Sequence, residues 1–218
     1  MSAAKNGEGW QIIPDEEAAI HETGHQARRC AGLRTNIGGI RALRSHTVIS
    51  FETEPPGPDE FRRRVSDTLE FLPWLVCERN GQVLGYSYAD KYRARAAYQW
   101  SASVSVYVDS TVHRAGIGRA LYASLFRILD LQGLYNLYAG ITLPNESSVG
   151  LHRSCGFHQI GLERSVGYKL GAWHDVSMWH LPLRPCLPAP EPPIPLAAVV
   201  EQDSWPEAIS AGLQFIRL

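Results

Sequence analysis

Two short strings carry residue types whose spacing could do chemistry. The first is His113-Arg114-Ala115-Gly116-Ile117-Gly118, with its glycines placed where an alternating segment gives way to an apolar helical stripe. Free N–H groups in the first turn of a helix carry partial positive charge and attract phosphate. Glycine lets such a ligand come close to the backbone. No Lys-Ser/Thr follows the glycines, and Leu121 stands where a dinucleotide fingerprint would have its third glycine, so nucleoside triphosphates and dinucleotides lose their motif. A tight strand-to-helix turn without a ligand is the other reading. The second string, His21-Glu22-Thr23-Gly24-His25, is an H-E-x-x-H. On a helix it would set two imidazoles one turn apart, with a glutamate to act on zinc-bound water. Gly24 weakens a helix between those ligands, and no downstream segment identifies a third. A polar patch with no metal bound is the preferred reading, and a zinc hydrolase is its rival.

The elements that must position these residues belong to a chain of 218 residues, 44% of them hydrophobic, which can bury a full core in one domain with an appendage. A formal net charge of −1 lacks the electrostatic footprint of a nucleic-acid binder. Arg62, Arg63 and Arg64 are interleaved with Phe61, Val65 and Leu69, as on a solvated helix face. Cys30, Cys77, Cys155 and Cys186 are scattered, without a C-x-x-C pair, which argues against zinc sites and disulfide frameworks and fits a reducing cytoplasm. No signal-peptide pattern opens the sequence and no apolar run is long enough for a membrane span.

Periodicity predicts a mixed α/β sheet flanked by helices. Trp10–Ile13 reads as a short strand and Ala18–Ala31 as a helix after Asp15-Glu16-Glu17. Asp59–Phe71 has helical spacing, and Trp74–Glu78 and Val83–Tyr88 flank Asn80-Gly81, a hairpin signal. In Ser101–Val108 the residues Val104, Val106 and Val108 share one face, while Ser103, Ser105 and Tyr107 share the other. Ile117, Leu121, Leu125 and Ile128 form a helical stripe that Gly133 ends. Leu137–Thr142, Phe157–Tyr168 and Trp173–Leu183 read as strands, with a short helix over Glu146–Ser154. Beyond Leu183 six prolines crowd the stretch from Pro185 to Pro195, an extended tail, with a short helix expected around Pro206–Leu213.

The strings "VISFETEPP", "PWLV", "AYQWSASVSVYV", "HRAGIGRALY", "LPNESSVGLHRSCGF" and "VGYKLGAWHDVSMW" together resemble the phosphinothricin N-acetyltransferase branch of the GNAT superfamily of acetyl-CoA-dependent N-acetyltransferases. The resemblance runs from Thr47 to Leu181. It divides the chain into a less similar strand/helix region (1–46) of the same domain, an acetyltransferase core (47–183) and the proline-rich tail (184–218). It implies a GNAT-like twisted sheet and acetyl-CoA as co-substrate, its pyrophosphate on the turn formed by Arg114, Ala115, Gly116, Ile117, Gly118 and Arg119. His113 stands where the superfamily has Arg or Gln. The backbone of Val106, Tyr107 and Val108 would pair with the pantetheine arm like an added strand, and Asn145 matches the family's cofactor-contacting Asn. A plain N-cap is that residue's other reading. Arg93 and Arg95 precede the fourth strand, where a guanidinium suits the acid group of an amino-acid-like substrate. Phe51, Tyr98 and Trp100 would wall that pocket.

Acetyl transfer to an amine needs a neutral nucleophile, a polarised thioester carbonyl and a proton for the departing thiolate. The resemblance places the family's deprotonating Glu at Ser103, which cannot serve as that base. It places His152 at the thiolate-acid position, where an imidazole can give or take a proton; a helix-face histidine without a chemical task is the alternative. The implied activity is N-acetylation of a small amino-acid-like amine of the phosphinothricin, methionine sulfone or methionine sulfoximine type. An acyl-CoA-binding protein with little catalysis is the alternative that Ser103 raises. The partner expected is the small-molecule amine, not nucleic acid or membrane, and a homodimer is left open.

Overall fold

The computed structural model describes residues 10–14, 47–54, 56–80 and 82–217. The expected helix over 18–31, the H-E-x-x-H string and Cys30 lie outside the described residues. Within them, the segments with period-two alternation form one seven-stranded sheet: β1 (Trp10–Pro14), β2 (Trp74–Arg79), β3 (Gln82–Lys91), β4 (Ser101–Val108), β5 (Asn136–Thr142), β6 (His158–Lys169) and β7 (Ala172–Pro182), in spatial order β1-β2-β3-β4-β5-β7-β6. The helices are α1 (Pro58–Leu69), α2 (Ile117–Leu131), α3 (Glu146–Ser154), α4 (Leu196–Val200) and α5 (Trp205–Ser210). This is the mixed, helix-flanked sheet that periodicity predicts.

Local chemistry sets the element ends. Pro58 opens α1 with Asp59 and Glu60 in its first turn, where fixed φ and negative charge both favour a helix start. Gly133, at φ 91°, ends α2 as the Leu134 N–H reaches back to the Leu129 carbonyl. The stripe Ile117, Leu121, Leu125 and Ile128 is fully buried against the sheet, in one core with Leu75, Leu84, Ala102, Val104 and Leu137. On the opposite face α1 lays Val65 and Phe61 against Trp74, Tyr86, Tyr88 and Tyr107. There the Trp74 and Tyr88 rings stack at 4.2 Å and Tyr86 lies 5.1 Å from Tyr107.

The proline-rich segment is strapped to the domain through backbone groups. Ile194 exchanges hydrogen bonds with Gln132, Leu196 N–H donates to the Phe71 carbonyl at 3.0 Å, and Trp100 Nε1 donates to the Glu191 carbonyl at 2.8 Å. Trp100 therefore holds the strap through its indole N–H. Leu196, Val199 and Ala208 join the main core, so the strap ends in helices that cover α2. Ser124 Oγ donates to the Ile209 carbonyl at 2.8 Å and accepts the Gly212 N–H at 3.0 Å.

One feature of the sheet prepares a cleft. β4 and β5 run parallel but pair only through Ser101↔Asn136, Ala102↔Leu137 and Ser103↔Tyr138. Beyond Ser103 and Tyr138 the two strands part, and the ends of β4 and β5 flank a gap that leads to the start of α2.

Candidate active site

The gap has backbone groups waiting in it. Asp109 N–H donates to the Leu84 carbonyl across to β3 at 2.8 Å. Strand alternation then turns the N–H and C=O groups of Tyr107 toward β3 and those of Val104, Val106 and Val108 toward the gap. Val106 and Val108 are thus the edge groups of the expected trio, while Tyr107 sends its ring to the α1 face.

At the mouth of the gap stands the glycine turn. Arg114 and Gly116 both have positive φ, 65° and 81°. Such alternation folds successive N–H groups into an anion-binding concavity. Gly116 is the N-cap of α2 without a side-chain cap, and the helical ladder begins with the Ala120 N–H on the Gly116 carbonyl. The N–H groups of Ile117, Gly118 and Arg119 precede that ladder. Gly118 is small for a packing reason: a Cβ there would lie 3.0 Å from Leu151 Cδ2 and 3.5 Å from Val108 Cγ2. On its other side the turn meets the tail. A Cβ at Gly116 would overlap the Phe215 carbonyl, Arg217 N–H donates to the Ala115 carbonyl at 2.9 Å, and the Arg119 guanidinium lies 4.4 Å from the Phe215 ring centre.

Asn145 caps α3, its Oδ1 accepting the Ser148 N–H at 3.1 Å. His152 on the same helix is buried, 4% exposed, with Nδ1 2.8 Å from the Ser148 carbonyl and Nε2 3.0 Å from Tyr122 Oη. A carbonyl can only accept, so Nδ1 carries the proton and Nε2 accepts from the tyrosine. Burial lowers the pKa of His152 from its ordinary value, partly offset by the Ser148 carbonyl, and burial raises that of Tyr122 well above the usual phenol range. The imidazole is a neutral link between α3 and α2. His152→Ala leaves the Tyr122 hydroxyl without its acceptor, so we expect a loss of about 1–3 kcal/mol, read by denaturant titration. The sign of the pH effect follows from linkage. A folded-state pKa below the unfolded value makes stability fall as pH drops below about 6.5. The decline in melting temperature from about pH 7.5 to about pH 5.5 should therefore be steeper in the parent than in His152→Ala.

Side chains on the α1 face of the gap gather around its root. Ser103 lies opposite Tyr138 on β5 and opposite Asp90 on β3. Tyr138 stacks on Tyr92 at 4.0 Å and on His180 at 4.9 Å. The Arg93 guanidinium lies 5.1 Å from the Tyr92 ring and 5.5 Å from that of Tyr98. Arg93, Tyr98 and Ser103 are therefore brought into one neighbourhood; Arg95 begins the short 3-10 turn beside them as an exposed side chain. Phe51 stands apart, packed over Gly167 and 6.4 Å from the His174 ring, while Lys169 Nζ holds its segment through the Thr47 and Ser50 carbonyls. Asp90, Tyr92 and Tyr138 escape the sequence reading, because only strand register sets them beside Ser103. Among the described residues no three His, Cys, Asp or Glu side chains could jointly hold a metal ion.

The model of the acetyltransferase (GNAT) domain family matches residues 36–179. The chain belongs to the GNAT acetyltransferases. This GNAT chain is 39% identical over 148 residues to a phosphinothricin N-acetyltransferase of Streptomyces viridochromogenes, covering 68% of the chain and 80% of the relative. It is 36% identical over 119 residues to an L-methionine sulfoximine/L-methionine sulfone acetyltransferase of Pseudomonas paraeruginosa, covering 54% of the chain and 69% of that protein. Among solved structures it is similar to a GNAT phosphinothricin acetyltransferase from Sinorhizobium meliloti in complex with acetyl-CoA, with a TM-score of 0.71 at 27% identity over 86% of this chain and 98% of that one. As a GNAT N-acetyltransferase it takes its acyl group from acetyl-CoA. Its residues fit that co-substrate: edge backbone groups beside an opened strand pair, and a turn of uncapped N–H groups at the gap's mouth.

Proposed function

We propose that this acetyltransferase acetylates the amine of a small amino acid bearing a second acidic or strongly polar head, of the phosphinothricin, methionine sulfone or methionine sulfoximine kind. The observation that carries this reading is the guanidinium of Arg93 held over two tyrosines at the root of the β4–β5 gap. A second cation on the same face, Arg64, is engaged by Glu52 and Glu60, whereas Arg93 and Arg95 are exposed at the root of the gap. Charge-assisted pairing of this type gives geometric selectivity as well as affinity.

In the proposed arrangement Val106 and Val108 hold the pantetheine arm by strand-like hydrogen bonds, and the turn from Arg114 to Arg119 binds pyrophosphate. Asn145 and His152 keep α3 in place beside the turn. Bound acetyl-CoA supplies an activated thioester, and the protein's own part is to align the amine, deprotonate it and exclude water. The test is a panel with purified protein and acetyl-CoA. Phosphinothricin, methionine sulfone and methionine sulfoximine should show kcat/KM values at least tenfold above those of carboxylate-free amines, whereas equal values across the panel refute the substrate class.

Ser103 favours a second reading, acyl-CoA binding with little turnover, since the family's deprotonating Glu is absent there. That reading expects tight acetyl-CoA binding with no release of free thiol on adding any amine. The cytoplasm is the proposed setting, consistent with the free thiols of Cys77, Cys155 and Cys186. A homodimer is the proposed assembly. It accords with the large apolar side chains that β6 and β7 expose, Tyr168 at 58% and Trp173 at 65% among them, and light scattering reads it.

A further inference from the structure

The carboxylate that position 103 lacks stands on the neighbouring strand. Ser103 and Asp90 are direct partners in the antiparallel β3–β4 ladder. Directly opposite residues share a face, with Cβ atoms about 4.5–5.5 Å apart. That face is the one that carries Ser103, Ser105 and Tyr107 and looks toward α1, opposite the core that covers α2. The pairing sits at the one level where β4 is about to part from β5, since Ser103↔Tyr138 is the last rung before the gap.

We infer that Asp90 takes the proton from the substrate amine, replacing the glutamate that related enzymes carry on β4. The inference rests on the proposed amine acetylation and names the group that performs its first step. Asp90 also lines a cavity of about 380 Å³ between α1, β2 and β3, together with Phe61, Trp74 and Tyr88. Trp74 Nε1 in that wall is buried without a hydrogen-bond partner. The charged groups around the cavity are Arg64, Asp67 and Glu70 from α1 and its end, and Lys91 beside Asp90 itself. Arg64 is committed to Glu52 and Glu60, and Asp90 forms no salt bridge among the described residues. Asp90 is exposed at the end of β3; partial desolvation by its neighbours raises the pKa of its carboxyl, opposed by the Lys91 N–H and the Lys91 charge, the direction that makes a carboxylate a better proton acceptor.

Arg93, on Tyr92 and Tyr98, lies on the Tyr138 side of the same root. An amino acid whose acid meets Arg93 would present its amine toward Ser103 and Asp90. The α-amine of a free amino acid is mostly protonated near neutrality, since its carboxylate keeps its pKa above that of a peptide N-terminus. Its proton passes to the Asp90 carboxylate, directly or through one water lodged in the space that Ser103 leaves. The freed nitrogen pair forms the C–N bond to the acetyl carbon, the C–S bond breaks with its electron pair on sulfur, and the second amine proton released balances the one that sulfur takes up.

The test measures acetyl transfer to phosphinothricin by the full chain, as parent, Asp90→Asn and Asp90→Asn/Ser103→Glu, from about pH 6 to about pH 9, with acetyl-CoA affinity measured alongside. Asp90→Asn should lower kcat about 10²-fold near neutrality with unchanged acetyl-CoA affinity. Its rate should climb with pH toward the parent's, as the free-base fraction of the amine grows. Ser103→Glu in that background should restore most of the lost rate and flatten the pH profile, because it returns a carboxylate to the same spot from the opposite strand. An Asp90→Asn protein with the parent's kcat and pH profile overturns the inference. So does a double variant that stays at the rate and profile of Asp90→Asn. A parent that acetylates no amine in the panel overturns the proposed function itself, an outcome visible before any variant is made.

Discussion

Gly116→Val is expected to weaken acetyl-CoA binding by about 10- to 100-fold or more. Two costs add. Gly116 sits at φ 81°, a left-handed conformation that costs an L-residue about 1–2 kcal/mol, and more when it is β-branched. A Cβ there also overlaps the Phe215 carbonyl, so the valine must displace the tail or move the turn. Each ~1.4 kcal/mol spent on rebuilding the turn is tenfold in Kd. Titration calorimetry on folded protein reads the loss. Deleting residues 213–218 removes the overlap and leaves the strain, so the valine should cost less affinity in that shortened background. A folded Gly116→Val protein with the parent's affinity would show that the turn is not the pyrophosphate site.

Arg93→Gln should raise KM for acid-bearing substrates by about tenfold, the loss of one charge-assisted contact made near solvent. A carboxylate-free amine should change by less than about twofold, because the missing contact is one it never made. Arg93 is exposed, so the discrimination should shrink at high salt, where charges near solvent are screened. Arg93→Lys should recover only part of it, because an ammonium cannot reproduce the planar two-point fork. Equal KM changes for acid and non-acid amines would remove Arg93 from substrate recognition and leave it a surface cation on two tyrosines.

The two faces of β4 and the buried stripe of α2 were legible from the order of residues, because each depends on side-chain period alone. The hairpin between β2 and β3 was legible for the same kind of local reason, with Asn80 adopting φ 53° in the turn. The docking of the tail was not. Its anchors are the Phe71 carbonyl, the Gln132 main chain and side chain, and the Ser124 hydroxyl, and backbone acceptors leave no mark in a sequence. His152 stood at a recognisable position, yet its neutral, buried state follows from Tyr122 one helix away. Asp90 could be placed on the face of Ser103 only once the register across β3 and β4 was known, since a one-residue slip would send it to the other side. The seat of Phe51 was likewise hidden, because Lys169 clamps its segment to β6 through a contact distant in sequence.

On the proposed function, the β4–β5 gap and its glycine turn serve acetyl transfer to an acid-bearing amine. The most direct measurement mixes purified protein, acetyl-CoA and phosphinothricin, counts the free thiol released and identifies the product by mass spectrometry. One N-acetylated product is expected for each thiol, at a rate that saturates with the amine and disappears when the amine is blocked. Thiol release no faster than in buffer, from a protein that nevertheless binds acetyl-CoA, would contradict it.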